Sequence, residues 1–469
     1  MSVAKRFASS TEVFSWLSGF INLEKGIPKN PKTFRLDRME ILAEYAGHPE
    51  RYAPSIHIAG SKGKGSVTTM IASILEADGR RAARYMSPHI ADFRERISIG
   101  NSFFDEQVYC TAGDELRDVA EHKVPAARNS LFDPNSEEGE SLTFFELITL
   151  YFFLCARTGG CGIMVVETGM GGRLDCTNII DPLVSVITLI ELEHTAFLGQ
   201  TISAVAGEKA GIIKPGKPLI LARQNAEALD VFRKQASEKN SPLRYFPDCA
   251  AIHHPLIHPD GTNFSLSTGT DIPLQLSIPI PGMVQAENAG LAVLALKTAF
   301  PGLGDDAIRR GLARITIPAR FEKVNRRSGG SSGNACDGAL GNALGVNDPP
   351  LIIDGAHTPE SVSLCVQTFC SLYGEGGVLL FGCAADKNAA AMAEILLPHF
   401  SHIIITTPGN FRVSDPEKVY AAFSADKTVC IKNTHEAIQQ ALETSRKQNL
   451  PVLCTGSFYL VSEVKSLIS

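Results

Sequence analysis

The segment Gly60-Ser61-Lys62-Gly63-Lys64-Gly65-Ser66 gathers three glycines, two lysines and two hydroxyls into seven residues. Glycines let a main chain turn sharply and aim its N–H groups at an anion, so the set suits a polyphosphate. Lys64 adds a mobile charge for terminal phosphates, and Ser66 a hydroxyl able to ligate Mg²⁺. Gly65 separates Lys64 from Ser66, so the G-x-x-x-x-G-K-[ST] spacing is not met, and a flexible Gly/Ser/Lys turn is the plain alternative. Further along, Glu167 closes an apolar run and opens into Thr168-Gly169-Met170-Gly171-Gly172-Arg173, the placement of an acidic Mg²⁺ ligand. A strand-end salt bridge to Arg173 is its alternative. His194 and Ser87 each follow strand-like runs but read equally as a structural histidine and a Ser-Pro turn, and Lys209 reads as a solvated lysine at a helix end.

The elements around these residues are consistent with a shared crevice. The run Ile56–Ala59 predicts a buried strand and Val67–Ala77 a helix, which places the glycine-rich loop at a strand-to-helix turn. Further strands are expected at Ile163–Val166, Val184–Leu189 and Pro218–Leu221, alternating with helical patterns. Such alternation indicates a largely parallel sheet covered by helices, with ligands outside the carboxyl ends of the strands. Thr262–Leu266 and Pro273–Ile278 are read as antiparallel strands at a sheet edge, and Asn288–Phe300 as a helix. A second α/β unit begins near Arg320, with strands Leu351–Ile353, Gly377–Leu380, His402–Thr406 and Val452–Thr455 and a helix Ala389–Leu396. Residues 327–350 have the composition of a flexible insertion.

Composition narrows the function classes. A chain of 469 residues suggests about two or three domains. A net charge of −6 and the absence of a long basic block argue against general nucleic-acid binding. Leu147–Ala156 is too short to span a bilayer and reads as a core helix, and the N-terminus lacks the apolar core of a secretion signal. Eleven cysteines without a C-x-x-C pair suit reduced thiols in a cytoplasmic protein.

Six ordered stretches then carry a resemblance: HIAGSKGKGS (57–66), SPHIADFRERISI (87–99), SLTFFELITL (141–150), ETGMGGRLDCTN (167–178), LEHTAFLG (192–199) and GEKAGIIKPG (207–216). Thinner matches are LDRME (36–40), Gln285-Ala286-Glu287-Asn288, Ala319-Arg320-Phe321-Glu322, Asp354-Gly355-Ala356-His357, Asp386-Lys387 and Thr455-Gly456-Ser457. Together they resemble the folylpolyglutamate synthase/dihydrofolate synthase family of the Mur-ligase superfamily. The fold expected is α/β. An N-terminal P-loop-type domain with a mostly parallel sheet and an antiparallel edge (1–310) carries the ATP and folate sites. A smaller C-terminal Rossmann-like α/β domain (319–469) is the glutamate-ligase domain.

The resemblance implies an ATP-driven amide ligase that phosphorylates the carboxylate of a folate or dihydropteroate and passes the acyl group to L-glutamate. Gly60, Ser61, Lys62, Gly63, Lys64, Gly65 and Ser66 would cradle ATP, with Asn288, Arg320 and Asp354 as further nucleotide contacts at the domain junction. Ser66, Ser87, Glu167 and His194 match metal positions for about two Mg²⁺ ions. Lys209 matches a lysine that is carbamylated in the family, and Lys64 and His357 lie at the phosphates. Thr143, Leu174, Asp175 and Cys176 fall at a dihydropteroate site, and Ser457 at the glutamate site. The chain departs from the family pattern at Ser61-Lys62, Arg94, Glu193, Val284 and Thr358. The partners implied are small molecules acting on a monomer, without nucleic acid or membrane. A Mur-type ligase for another carboxylate and a P-loop ATPase are the alternatives.

Overall fold

The computed structural model describes residues 6–22, 35–124, 141–269, 272–324, 348–409, 413–423 and 425–468. The insertion expected at 327–350 lies outside the described residues except for its last three. Two compact units emerge. The first comprises Met1–Leu256, Asn263–Pro279 and Met283–Thr316; the second comprises Ile257–Thr262, Ile280–Gly282 and Ile317–Ser469.

In the first unit, seven described strands build one sheet: β1 (Ser55–Ala59), β2 (Ala82–Tyr85), β3 (Ile97–Ile99), β4 (Ile163–Glu167), β5 (Val184–Ile187), β6 (Leu219–Leu221) and β7 (Leu243–Tyr245). Their order is β3-β2-β4-β1-β5-β6-β7. All neighbours are parallel except β2 and β3, which are antiparallel. β1, β4 and β5 are buried along their whole length, as their continuous apolar runs require in a sheet covered on both faces. Register aligns the strand ends. Ile58 pairs with Glu167, Ala59 with Ile187, and Tyr85 with Val166. The segments that leave β2, β4, β1 and β5 therefore emerge side by side at one sheet edge.

Under this sheet runs the helix Phe144–Thr158, buried over most of its length beside Tyr85, Tyr109 and Phe104. Its Thr143 cap and Glu146 close a capping box. Glu146 also receives Arg38, whose Nε lies 2.6 Å away, in a fully buried ion pair that ties the helix Leu36–Tyr45 to this core.

A separate three-stranded sheet, in the order β10-β9-β8, is formed by β8 (Ala251–His258), β9 (Gly261–Ser267) and β10 (Leu274–Ile278). The expectation of edge strands of the main sheet is thus corrected for these residues. In β10, Leu274, Leu276 and Ile278 are buried and alternate with exposed residues, so one face is packed and the other wet. The antiparallel edge of the main sheet is β3 instead.

The second unit has six described strands: β11 (Glu322–Lys323), β12 (Leu351–Ile353), β13 (Gly377–Phe381), β14 (Phe400–Ile405), β15 (Thr428–Cys430) and β16 (Val452–Thr455). Their order is β11-β12-β16-β13-β14-β15, parallel apart from the β11–β12 pair. No helix among the described residues is long and apolar enough to cross a membrane. The ten described cysteines are free, although Cys176, Cys249, Cys370 and Cys430 are only partly buried.

Candidate active site

β1 delivers the chain into the glycine-rich loop, two of whose glycines are there for want of space. Gly60 has φ +146°, and a Cβ on it would lie 1.8 Å from Thr188 Oγ1. Gly63 has φ +90°, and its Cβ would lie 2.6 Å from Asn288 Oδ1, so Asn288 packs directly on the loop. The N–H groups of Ser61 and Lys62 donate to the Leu189 carbonyl at 2.8 and 3.2 Å, and Ser61 Oγ donates to the Glu191 carbonyl at 3.0 Å. The loop is thereby pinned to the segment leaving β5. Helix Lys64–Ala77 starts at Gly63 without a side-chain cap. Its first turn keeps the positive end of the helix dipole open to an anion. Ser66 Oγ is buried there and has no hydrogen-bond partner among the described residues. Lys64 folds back and donates to the Gly60 carbonyl at 2.8 Å.

Glu167, 3% exposed, ends β4 beside this loop: a Cβ on Gly65 would lie 3.5 Å from its Oε2. Arg173 does not serve it. That guanidinium pairs with Glu208 at 2.9 Å, so the strand-end bridge considered for Glu167 and Arg173 is not the one formed. Ser87 follows β2, and Met86 beside it reaches within 3.4 Å of the same Gly65 Cβ position. His194 is exposed and left-handed at φ +47°, and it starts the short helix Thr195–Leu198. An orphaned buried hydroxyl, a buried carboxylate and an uncapped helix start form a donor set that fits a hydrated Mg²⁺ carrying phosphate oxygens.

Lys209 departs most from its sequence reading. It is 1% exposed, not solvated, and its Nζ donates to Glu193 Oε1 at 2.6 Å and to the Gly60 carbonyl at 2.9 Å. Burial lowers its amine to about 8, against the opposing pull of Glu193. Burial raises the Glu193 carboxyl, but the charges of Lys64 and Lys209 outweigh that and hold it at about 2. Sequence reading marks Glu193 only as a departure and misses it as the partner of this lysine. Its place one residue before His194 is the available signal.

The four pterin-site candidates fall on two neighbouring segments. Thr143 Oγ1 donates to Glu146 Oε2 at 2.8 Å and caps its helix. Asp175, 5% exposed, accepts from the Thr177 N–H at 3.0 Å, from Thr177 Oγ1 at 2.5 Å and from the Met170 N–H at 2.9 Å. Burial raises its carboxyl despite those bonds. Asp175 therefore shapes the loop 167–178, whereas Thr143 shapes the start of helix Phe144–Thr158. Leu174 and Cys176 flank Asp175 and are partly exposed. Phe145 underlies the same loop, since a Cβ on Gly169 would meet its ring at 2.1 Å.

The second unit carries its own group at the carboxyl ends of β12 and β16. Asp354 accepts from the N–H of Phe321 at 2.7 Å and of Ala356 at 2.8 Å. Arg320 stands between Ala319 and Phe321, both left-handed at φ +58° and +44°. Its guanidinium lies 4.6 Å from the centre of the Phe458 ring. His357 Nδ1 donates to the Gly355 carbonyl at 2.8 Å, which fixes the proton on that nitrogen. Ser457, 5% exposed, accepts the Tyr459 N–H at 3.1 Å.

Comparison with known proteins places this geometry. Residues 110–296 match the Mur ligase middle domain, and residues 342–458 match the Mur ligase glutamate ligase domain. The chain is 30% identical to the folylpolyglutamate synthase of Lacticaseibacillus casei, with 98% of each chain covered. It is 29% identical to the dihydrofolate synthase/folylpolyglutamate synthase of Bacillus subtilis (strain 168), over 98% of this chain and 99% of the relative. It also superposes on a crystal structure of Mycobacterium tuberculosis folylpolyglutamate synthase complexed with ADP and AMPPCP, with TM-score 0.82, 28% identity and 98% of both chains covered. With a glycine-rich strand-to-helix loop beside a buried strand-end carboxylate, and relatives alike over nearly their full length, this chain belongs to the folylpolyglutamate synthase/dihydrofolate synthase family of Mur ligases.

Proposed function

We propose that the chain is an ATP-dependent ligase that joins L-glutamate to the carboxylate of a folate or of dihydropteroate through an acyl phosphate. The observation that carries this reading is the uncapped start of helix Lys64–Ala77 with the Glu167 carboxylate against Gly65. A carboxylate is a poor acyl donor until one of its oxygens is phosphorylated. That oxygen attacks the γ-phosphorus and ADP leaves. The glutamate amine then attacks the acyl carbon and phosphate departs, with one proton released.

In this scheme the loop from Gly60 to Ser66 and Asn288 hold the triphosphate. Lys64 leaves the Gly60 carbonyl to follow the terminal phosphate, so its charge tracks the charge that moves. Ser66, Ser87, Glu167 and His194 would hold Mg²⁺, which supplies charge neutralisation and orientation of the phosphates when bound. Thr143, Leu174, Asp175 and Cys176 shape the pterin side. In the second unit, Arg320, Asp354 and His357 are assigned to the nucleotide and Ser457 to glutamate.

Carbamylation of Lys209 fits its lowered amine, because CO₂ adds only to the unprotonated nitrogen and releases one proton. The product would exchange a cation for an anion beside Glu193, so it requires the nearby Lys64 charge or a metal ion. We take the enzyme to be a cytoplasmic monomer acting on small molecules, without nucleic acid or membrane.

The test is ADP release by the purified protein with MgATP and L-glutamate, with and without tetrahydrofolate or dihydropteroate. Release that requires one pterin together with glutamate is expected. Release independent of both pterins indicates an ATPase, and release driven only by another carboxylate indicates a different Mur-type ligase.

A further inference from the structure

We propose that Cys370, Glu375 and His399 form a second metal site, selective for a zinc-class divalent ion rather than Mg²⁺. One ligand atom from each of the three lies within 4.8 Å of the others. His399 Nδ1 is 2.9 Å from Glu375 Oε2, and Cys370 Sγ is 3.7 Å from the same oxygen. A tetrahedral zinc ion, with bonds of about 2.0–2.3 Å, holds its ligand atoms roughly 3.3–3.6 Å apart. Two of the three separations thus lie within about 0.5 Å of that range, and the third, from Cys370 Sγ to His399, closes from no more than 4.8 Å.

The main chain already ties the three together. Cys370 lies in the last turn of helix Pro359–Tyr373, and its carbonyl accepts the Gly374 N–H at 2.9 Å. Gly376 donates its N–H to the His399 carbonyl at 2.8 Å. Gly374 and Gly376, with φ +81° and +88°, turn the chain on either side of Glu375. Lys427 Nζ anchors the His399 segment by donating to the carbonyls of Leu397 and Phe400 at 2.6 and 2.7 Å. That ammonium adds like charge on the His399 segment, so a weaker grip than that of an all-cysteine site is expected.

Chemistry sets the selectivity. Thiolate and imidazole favour zinc or cobalt, whereas Mg²⁺ takes hard oxygen ligands and keeps its waters. On coordination the Cys370 thiol gives its proton to solvent, and water fills the fourth position. Location separates this site from the nucleotide-binding candidates of the same unit. Glu375 and His399 precede β13 and β14, at the amino ends of the parallel strands, whereas Asp354 and Ser457 follow the carboxyl ends of β12 and β16.

The experiment is titration of metal-stripped full-length protein with Co²⁺ in saturating Mg²⁺. One equivalent with a sulfur-to-cobalt charge-transfer band is expected. Cys370→Ser should abolish the band, and Glu375→Gln or His399→Gln should weaken binding at least ~10-fold. Zn²⁺ should displace the cobalt and protect Cys370 from alkylation, read by peptide mass spectrometry. Stripped Cys370→Ser should melt where the stripped parent melts and keep its ligase rate, which separates loss of metal from loss of fold. Absence of the band, its survival in Cys370→Ser, or alkylation of Cys370 unaffected by Zn²⁺ would overturn the site and leave only the polar contact between Glu375 and His399.

Discussion

Lys209 and Glu193 meet at 2.6 Å in the interior, and the Gly60 carbonyl beside them takes a hydrogen bond from Lys209 and another from Lys64. Two cations, one carboxylate and the first residue of the glycine-rich loop thus form one connected group. The position of the loop and the charge state of the lysine are therefore coupled.

Glu193→Gln leaves the buried Lys209 ammonium without its counter-charge. The expected cost is about 3–5 kcal/mol in denaturant unfolding, as for other broken buried pairs. The pH dependence has two parts. Glu193 is lowered to about 2 in the fold, so its stabilising contribution is complete above its ordinary value of 4.5 and is lost as pH falls from 4.5 toward 2. Lys209 is lowered to about 8, so the native state sheds its proton before the unfolded chain does. Its burial cost is full below pH 8, and stability recovers as pH rises from 8 toward 10.5. Unfolding of the parent and of Glu193→Gln across both windows checks the signs. An acid window unchanged in the variant would show that Glu193 is not its source.

Glu167→Gln keeps the size of the side chain and removes its charge at the end of β4. ADP release should fall by roughly two to three orders of magnitude, the scale for loss of an electrostatic group at a reacting phosphate. The melting temperature should change little. Normal turnover in this variant would remove Glu167 from the metal site.

Gly63→Ala forces a Cβ against Asn288 in a left-handed backbone. A stability loss of about 1–2 kcal/mol is expected from that conformation. Affinity for a non-hydrolysable ATP analogue, measured calorimetrically, should drop more than ten-fold, by roughly 1.4 kcal/mol or more. Unchanged affinity would mean that nucleotide does not use this loop.

Asp354→Asn keeps one carbonyl acceptor where two carboxylate oxygens now serve Phe321 and Ala356. One N–H is left unpaired, at a cost of about 1–3 kcal/mol. Amide exchange should accelerate at Phe321 or Ala356 and leave the first unit untouched. Equal protection in parent and variant would contradict the role of Asp354 in holding the Arg320 segment.

Long apolar runs make much of the fold legible. β1, β4, β12 and β16, and the helices Phe144–Thr158 and Ala389–Leu396, lie within a residue or a few of their sequence reading. Continuous burial on both faces leaves a pattern that local reading detects. β2, β3, β7 and β15 escape it because Arg84, Ser98, Arg244 and Thr428 break their short apolar runs, whereas Leu351–Ile353 is apolar throughout. Thr262–Leu266 and Pro273–Ile278 read correctly as strands but in the wrong sheet, because a strand does not encode its neighbour.

For the candidate site, residue types suffice to pick out the glycine-rich turn and the buried strand-end Glu167, and motif order the family. A left-handed turn demands glycine and a phosphate demands N–H groups and cations, whatever lies elsewhere in the chain. The state of Lys209 is a different matter. Reading it as a solvated helix-end residue fails because burial and the 16-residue reach to Glu193 depend on how the helix Ile202–Ala210 packs against β1 and the segment after β5. Local sequence determined which groups were available; only tertiary packing, by excluding water and bringing distant charges together, decided which are paired, buried and shifted in pKa.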